Sequence, residues 1–277
     1  MIQKFFTVLF SAGGILLFAG CATVSPDIPE TFAAQKWRAD GTLKLTCGDY
    51  TVTTGKRFNG KVAGLAFQGK ELFVKAGSTQ LGTLYEAPFP KDKNAEYAVI
   101  VDGKVPEFVN GDISGKQKIE LLRRSDYGDL RIFARYILTP DGLSWSVRYK
   151  IVDEKHKARY FYLFTLPWSN KFTEYLYWKG KEHKSGKMLN KKAWLICDDL
   201  DSLLLYAPEL NVWAVTEIVG KIPTESRRHT LWDLPNFHKY FLFHALPEWK
   251  AGYESPTYTV RIKVYNADKN GFIKKQL

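Results

Sequence analysis

The sequence predicts an all-β protein, a large antiparallel β-sandwich of the supersandwich type. Three observations predict it: apolar and polar side chains alternate over short segments, turn residues separate these segments, and no window of about a dozen residues has helical spacing. The alternation is clearest in GLSWSVRYKI at 142–151, where Leu143, Trp145 and Val147 share one face and Ser144 and Ser146 the other. Such a strand buries one face and exposes the other to water.

Turn residues set the order of the strands. The turn Thr139-Pro140-Asp141-Gly142 joins 130–138 to 142–151 as a hairpin, and Asn59-Gly60 and Asp102-Gly103 mark two further turns. The polar segment 180–192 is predicted to be a long exposed loop. Further strands are predicted in chain order at 41–47, 50–54, 61–67, 71–75, 96–101, 118–123, 158–166, 203–207, 212–218, 239–245 and 257–265.

The N-terminus has the layout of a secretory signal peptide, with Lys4 followed by sixteen uncharged residues, 5–20. That run is shorter than the roughly 20 apolar residues of a membrane-spanning helix. The segment Phe18-Ala19-Gly20-Cys21 resembles the lipobox of bacterial lipoproteins, which implies cleavage before Cys21 and attachment of lipid, including palmitate-type acyl chains, to its thiol. The alternative is an ordinary signal peptide with an incidental cysteine.

Three regions follow from this interpretation: a signal peptide at 1–20, the lipidated Cys21 with a tether at 21–36, and a single β-sandwich domain at 37–277. The expected location is the cell envelope, anchored to a membrane by lipid. Ala22, rather than Asp, follows the cysteine, which favours the outer membrane if the host is Gram-negative.

The chain is basic, with a formal net charge of +11. A basic envelope protein can meet acidic polysaccharide or lipid phosphate, whereas nucleic acid is not expected as a partner in that compartment. The cations are scattered, for example at 91–93, 123–124, 181–184 and 190–192, and form either a solvated surface or an anion site. The sequence leaves the oligomeric state open.

No cofactor or metal is expected. Beyond Cys21 only Cys47 and Cys197 remain, either as one disulfide or as two buried thiols, and neither belongs to a zinc-type CxxC pair. His229, His238 and His244 are spaced by nine and six residues, which fits no simple helical or strand pair of metal ligands. The chain also has no GxSxG elbow, P-loop or glycine-rich dinucleotide turn.

Two segments, 142–168 and 253–265, resemble the galactose-mutarotase-like supersandwich, the family of aldose epimerases and of domains in glycoside hydrolases and polysaccharide lyases. The matching features are a hairpin after the TPDG turn, a strand closing on Leu-Pro, and a last strand entered from a proline-containing loop. Residues 236–241, NFHKYF, are superficially similar to the epimerase Asn-His segment, but an extra residue separates Asn from His. The resemblance therefore implies the fold and transfers no catalytic role.

Aromatic and charged residues give the candidate site. Sugars stack on indole rings, so Trp178, Trp232 and Trp249, which are flanked by polar or turn residues, are candidate platforms. The forked guanidinium groups of Arg227 and Arg228 suit a carboxylate. A histidine beside an acid can transfer protons, which makes His238 and Asp233 a candidate catalytic pair. The alternative for all of these residues is an ordinary core or a solvated surface.

The predicted function is that of a lipid-anchored envelope protein that binds carbohydrate, in particular an anionic glycan. Two alternatives stay open. The protein could be a structural or assembly lipoprotein that holds another envelope protein, or an active sugar epimerase or polysaccharide lyase on the same scaffold. The sequence does not decide whether the protein is an enzyme.

Overall fold

The computed structural model describes residues 27–37, 41–74, 92–107, 109, 111–155, 160–198, 200–220, 227–245 and 250–267. Apart from one short 3-10 turn, Lys56–Phe58, the regular structure in these ranges is β-strand. The strands are β1 Thr42–Cys47, β2 Tyr50–Gly55, β3 Gly64–Phe67, β4 Lys70–Glu71, β5 Asp92–Val101, β6 Asp112–Gly115, β7 Ile119–Tyr127, β8 Leu130–Thr139, β9 Gly142–Ile151, β10 Tyr160–Ser169, β11 Glu174–Lys179, β12 Glu182–Lys187, β13 Ala193–Asp198, β14 Ser202–Ala207, β15 Val212–Val219, β16 Arg227–Asp233, β17 Phe237–Ala245 and β18 Tyr258–Asn266.

The strands form three sheets. The nine-stranded sheet has the order β12-β11-β14-β15-β18-β9-β8-β7-β5, the four-stranded sheet β10-β17-β16-β13, and the five-stranded sheet β4-β3-β2-β1-β6. Neighbouring strands are antiparallel except β1 and β6, which pair in parallel. The predicted all-β, antiparallel sandwich is confirmed.

One hydrophobic core lies between the sheets. Trp145 of β9 in the nine-stranded sheet packs edge-on against Phe164 of β10 in the four-stranded sheet, with ring centroids 5.5 Å apart. The hydroxyl of Tyr50 on β2 donates a hydrogen bond to the carbonyl of Val264 on β18, which ties the five-stranded sheet to the same core. The side chains that point into this core therefore define the inner face of each sheet.

Strands with strong alternation were predicted to within about two residues, including β8, β9, β14, β15 and β18. The predicted exposed loop at 180–192 is exposed, but it contains β12. The sequence EHKSGK of β12 has no apolar face, so no alternation marks it, and backbone pairing with β11 holds it in place.

Residues 27–30 lie on the outer face of the nine-stranded sheet, and Gln35 bonds to the backbone of its edge strand β5. Arg135 of β8 donates to the carbonyl of Asp27 at 3.1 Å, and Arg148 of β9 donates to the carbonyl of Ile28 at 3.2 and 3.0 Å. The predicted tether, 21–36, thus rests on the sheet from Asp27 onward. Within the described ranges no helix is long and apolar enough to cross a bilayer.

Candidate functional site

Two tryptophans form an exposed stacked pair on the four-stranded sheet. Trp194 of β13 and Trp232 of β16 are direct cross-strand partners, and their ring centroids are 4.9 Å apart with an interplanar angle of 13°. Trp194 is 58% exposed, and Trp232 is half-buried. An exposed tryptophan of this size is uncommon and is typical of a binding surface.

A β-bulge gives the pair its direction. Trp194 pairs with Trp232, but the next paired residue of β13 is Ile196, opposite Leu231, so Leu195 is an extra residue in the ladder. Ile196 and Leu231 are both buried in the core. The bulge thus lets Trp194 face solvent while Ile196, only two residues later, points inward, as bulges near functional sites often do.

Basic residues border the tryptophan pair. Lys191 and Lys192 precede β13 and are exposed, and Leu189 is 55% exposed. The backbone register places Lys239 of β17 opposite Trp232. The surface around the indoles is therefore partly apolar and partly cationic.

A buried pair of polar side chains lies next to the tryptophans. Asp233 follows Trp232 on β16, and His238 lies on the neighbouring strand β17. Asp233 and His238 are direct cross-strand partners and are both 0% exposed. His238 Nδ1 and Asp233 Oδ1 are 2.9 Å apart but are not aligned for an ideal hydrogen bond. His238 Nε2 lies 2.8 Å from the carbonyl oxygen of Phe172, and the backbone N–H of Leu189 donates to Asp233 Oδ2 at 2.6 Å.

The contacts determine where protons lie in this pair. A carbonyl only accepts, so the Nε2 atom of His238 carries a proton. Two acceptors 2.9 Å apart repel one another unless a proton lies between them, so a second proton is held on Nδ1 or on the Asp233 carboxyl. Burial lowers the pKa of the His238 imidazole, while Asp233 and the Phe172 carbonyl act in the opposite direction.

The position of the Asp233–His238 pair suits a supporting role. Neither side chain reaches the surface, so neither can contact a ligand in this conformation. Asp233 instead fixes Leu189, in the segment that leads to Trp194, and His238 fixes Phe172. The predicted catalytic pair is thus brought together, and its geometry favours positioning the loop over proton transfer to a substrate.

The remaining predicted site residues do not join this surface. Trp178 lies on β11 of the nine-stranded sheet, half-buried beside the small cluster of Leu176, Leu204 and Trp213. Its neighbour Tyr177 points into the main core, so Trp178 faces outward from its own sheet, as Trp232 does from the other. The two tryptophans therefore occupy different surfaces.

The other predicted site residues are Arg227, Arg228, Trp249 and Cys21. Arg227 and Arg228 begin β16, where the structure describes their backbone. Trp249 and Cys21 lie outside the described residues. Cys47 is a buried free thiol in β1, and within the described ranges no three His, Cys, Asp or Glu side chains cluster in a way that could hold a metal ion.

The sequence interpretation missed Trp194. Its context, KKAW, contains the same mixture of polar residues and indole that marked Trp232. What the sequence does not contain is the partnership, because Trp194 and Trp232 meet only through the pairing of β13 with β16. A search for tryptophans beside exposed lysines would have found it.

Comparison with known proteins gives similarity at the level of structure. No protein-family model and no curated protein matches the sequence. An aldose 1-epimerase candidate from Escherichia coli K12 is 10% identical, with a TM-score of 0.48, over 81% of this chain and 99% of that one. A galactose mutarotase-like protein from Lactobacillus casei is 11% identical, with a TM-score of 0.47, over 81% of this chain and 100% of that one.

A GH36 α-galactosidase variant from Geobacillus stearothermophilus is 8% identical, with a TM-score of 0.47, over 85% of this chain and 42% of that one. The Escherichia coli and Lactobacillus casei structures are named as an aldose 1-epimerase candidate and a galactose mutarotase-like protein. These names belong to the family that segments 142–168 and 253–265 resemble.

Proposed function

We propose that this protein binds carbohydrate on the Trp194–Trp232 pair. The observation that carries the proposal is a stacked indole pair that faces solvent, with Trp194 58% exposed. A sugar ring offers a face of C–H groups that packs on an indole, and its hydroxyls need polar neighbours. Lys191 and Lys192 supply such neighbours beside Trp194.

The rigidity of the platform supports the proposal. Trp232 stands on β16, which is paired on one side with β13 and on the other with β17. The segment before Trp194 is held by the hydrogen bond from Leu189 to the buried Asp233. A surface ordered before binding loses less conformational entropy when the ligand arrives, so more of the stacking free energy appears as affinity.

The finer parts of the proposal concern ligand charge and location. The net charge of +11 and the exposed Lys191 and Lys192 favour an acidic glycan. The FAGC segment at 18–21 supports lipid attachment at Cys21 and a place on the envelope membrane. Together these describe a membrane-tethered protein that holds acidic polysaccharide.

The test is glycan binding by the full chain in detergent, measured on an array of neutral and acidic glycans and then by calorimetry. Trp194→Ala and Trp232→Ala should each weaken binding at least tenfold, about 1.4 kcal/mol, because each removes part of the stacking surface. Tyr265→Ala is the matched control, since Tyr265 is an exposed aromatic residue on β18 in the middle of the nine-stranded sheet, and it should leave the affinity unchanged. Equal affinity in all three variants would refute the platform.

A second candidate function is the assembly role. Leu189, 55% exposed, adds a second exposed apolar side chain in the segment that leads to Trp194, and tryptophans are also frequent at the centres of protein interfaces. This function predicts that no glycan binds and that one envelope protein co-purifies with the wild type but not with Trp194→Ala. An epimerase or lyase would require the buried Asp233 and His238 to become accessible, and sugar turnover lost in His238→Ala would support it.

A further inference from the structure

We infer that the ligand is an acidic polysaccharide chain that runs from the tryptophan pair along the lysines of residues 179–192, here called the lysine edge. This inference rests on the proposed carbohydrate function and adds a second subsite to it. The lysine edge comprises the end of β11, the strand β12 and the connection to β13. Three features support it: the charge of the lysine edge, its position beside the tryptophan pair, and the chemistry of a ligand that fits both.

The lysine edge concentrates uncompensated charge. Residues 179–192 contain six lysines and one glutamate, a net +5 with His183 neutral, out of +11 for the whole chain. The lysines are Lys179, Lys181, Lys184, Lys187, Lys191 and Lys192. Within the described part of the chain the last five form no ion pair, and all five are exposed.

Several cations of the nine-stranded sheet, in contrast, are neutralised by ion pairs. On the nine-stranded sheet Arg131 pairs with Asp126 at 2.9 Å, Arg135 pairs with Glu120 at 2.5 Å, and Lys150 pairs with Glu30 at 2.8 Å. The lysine edge is therefore a described region in which several neighbouring lysines remain available to attract an external anion.

The position of the lysine edge makes it continuous with the tryptophan pair. β12 is the outer strand of the nine-stranded sheet, and β13 is the outer strand of the four-stranded sheet. The connection 188–192 joins them and spans at most about 20 Å. Three hydrogen bonds fix it, from Met188 N–H to the Thr173 carbonyl at 2.8 Å and from the N–H groups of Leu189 and Lys191 to Asp233 at 2.6 and 3.5 Å. The end of β12 and the start of β13 are thus held close together.

A chain of acidic sugars fits both parts of this surface. One ring can stack on Trp194, and a chain that follows the sheet edge can place carboxylates beside Lys187 on one side of β12 and Lys184 on the other, since the two side chains project from opposite faces of this edge strand. An anionic bilayer could also bind the lysines and take the indoles into its interface, so vesicle binding is a second outcome that the experiment separates. Lysines also protect edge strands from pairing with other chains, so a purely protective role is the alternative that the experiment must separate.

The experiment measures the affinity of the full chain in detergent for oligogalacturonates by calorimetry. The probes are a dimer, an octamer and the methyl ester of the octamer, which keeps the backbone but removes its charge. The octamer should bind more tightly than either other probe, and raising the salt should weaken only the charged contribution, because exposed charges are screened.

The double variant Lys184→Gln/Lys187→Gln should weaken octamer binding about twofold to thirtyfold, since it removes two exposed charge pairs and each changes the affinity by about 1.4-fold to 5-fold. Its affinity for the methyl ester should not change. The matched control Lys44→Gln/Lys116→Gln removes the same charge from exposed positions elsewhere and should bind the octamer almost as the wild type does.

The other outcomes overturn either the lysine subsite alone or the acidic-glycan proposal as a whole. Unchanged octamer affinity in Lys184→Gln/Lys187→Gln, with binding still lost in Trp194→Ala, refutes the lysine subsite and leaves the carbohydrate function standing. Increased self-association of the double variant in light scattering, with unchanged affinity, assigns the lysines to edge protection. Lysine-dependent binding to phosphatidylglycerol vesicles that survives Trp194→Ala assigns them to the bilayer. No binding of any oligomer by the wild type refutes both the subsite and the acidic-glycan proposal.

Discussion

The substitution Asp233→Ala tests the supporting role of the buried pair. It leaves His238 buried beside an empty space and removes the acceptor for the Leu189 N–H. Removing one partner costs about 1–3 kcal/mol in a neutral buried pair and about 3–5 kcal/mol in a charged one. Because the Nδ1–Oδ1 contact is poorly aligned, a loss of about 3 kcal/mol, where the two ranges meet, is expected. For a domain of this size that lowers Tm by about 6–12 °C.

The matched variant Asp233→Asn should be nearly as stable as the wild type. The asparagine oxygen can accept from Leu189 N–H, while its NH2 group donates to Nδ1 of a neutral His238, so no shared proton is required. Calorimetric melts of both variants and of Asp233→Ala/His238→Ala measure the coupling between the two side chains. A loss below about 1 kcal/mol for Asp233→Ala, or equal losses for Ala and Asn, would refute the reasoning.

Two further predictions concern stability. Gly142→Ala should destabilise the protein by several kcal/mol in chemical denaturation, because Gly142 has φ +142° and an added Cβ would lie 2.3 Å from the Ile262 carbonyl oxygen; an unchanged denaturation midpoint would contradict it. Burial raises the pKa of Glu120, but hydrogen bonds from Lys118 and Arg135 outweigh it and leave the pKa below the ordinary value. The ionised Glu120 therefore stabilises the fold above its pKa in the unfolded chain, and this contribution is lost as the pH falls through its lower pKa in the fold. Glu120→Gln should therefore reduce stability at neutral pH and flatten the acid limb of the pH–stability curve.

The parts of the fold that were predicted are those that local alternation encodes. In β9, 142–151, each apolar residue from Leu143 to Ile151 enters the core and each polar residue points to the opposite face, so the pattern alone gives the strand. β12 has no apolar face, and β13 contains a bulge that shifts the alternation after Trp194. Strands of this kind exist because a neighbour pairs with them, and a single sequence does not carry that information.

The candidate site shows the same division. The context of Trp232 made it a candidate platform, but its partner Trp194 is brought beside it by non-local pairing. Trp178 met the same local criterion and was placed on another sheet. The predicted tether, 21–36, rests on the sheet from Asp27 onward for a related reason, which is that its contacts are non-local. Glu30 contacts Arg148 at 3.1 Å and Lys150 at 2.8 Å only once β9 has formed.

The arrangement around 188–192 links the stability of the fold to its surface. This segment joins the edges of two sheets. Without a hydrogen bond to the core, the two edges could move relative to one another, and a binding surface that includes both would lose its fixed geometry. Asp233, held in the core beside His238, restrains it at Leu189. A buried polar pair contributes little net stability compared with apolar side chains of similar volume, but it fixes one arrangement. Its value here is therefore in the alignment of the lysine edge with Trp194, and Asp233→Ala should reduce octamer affinity more than dimer affinity even at temperatures where the fold is intact.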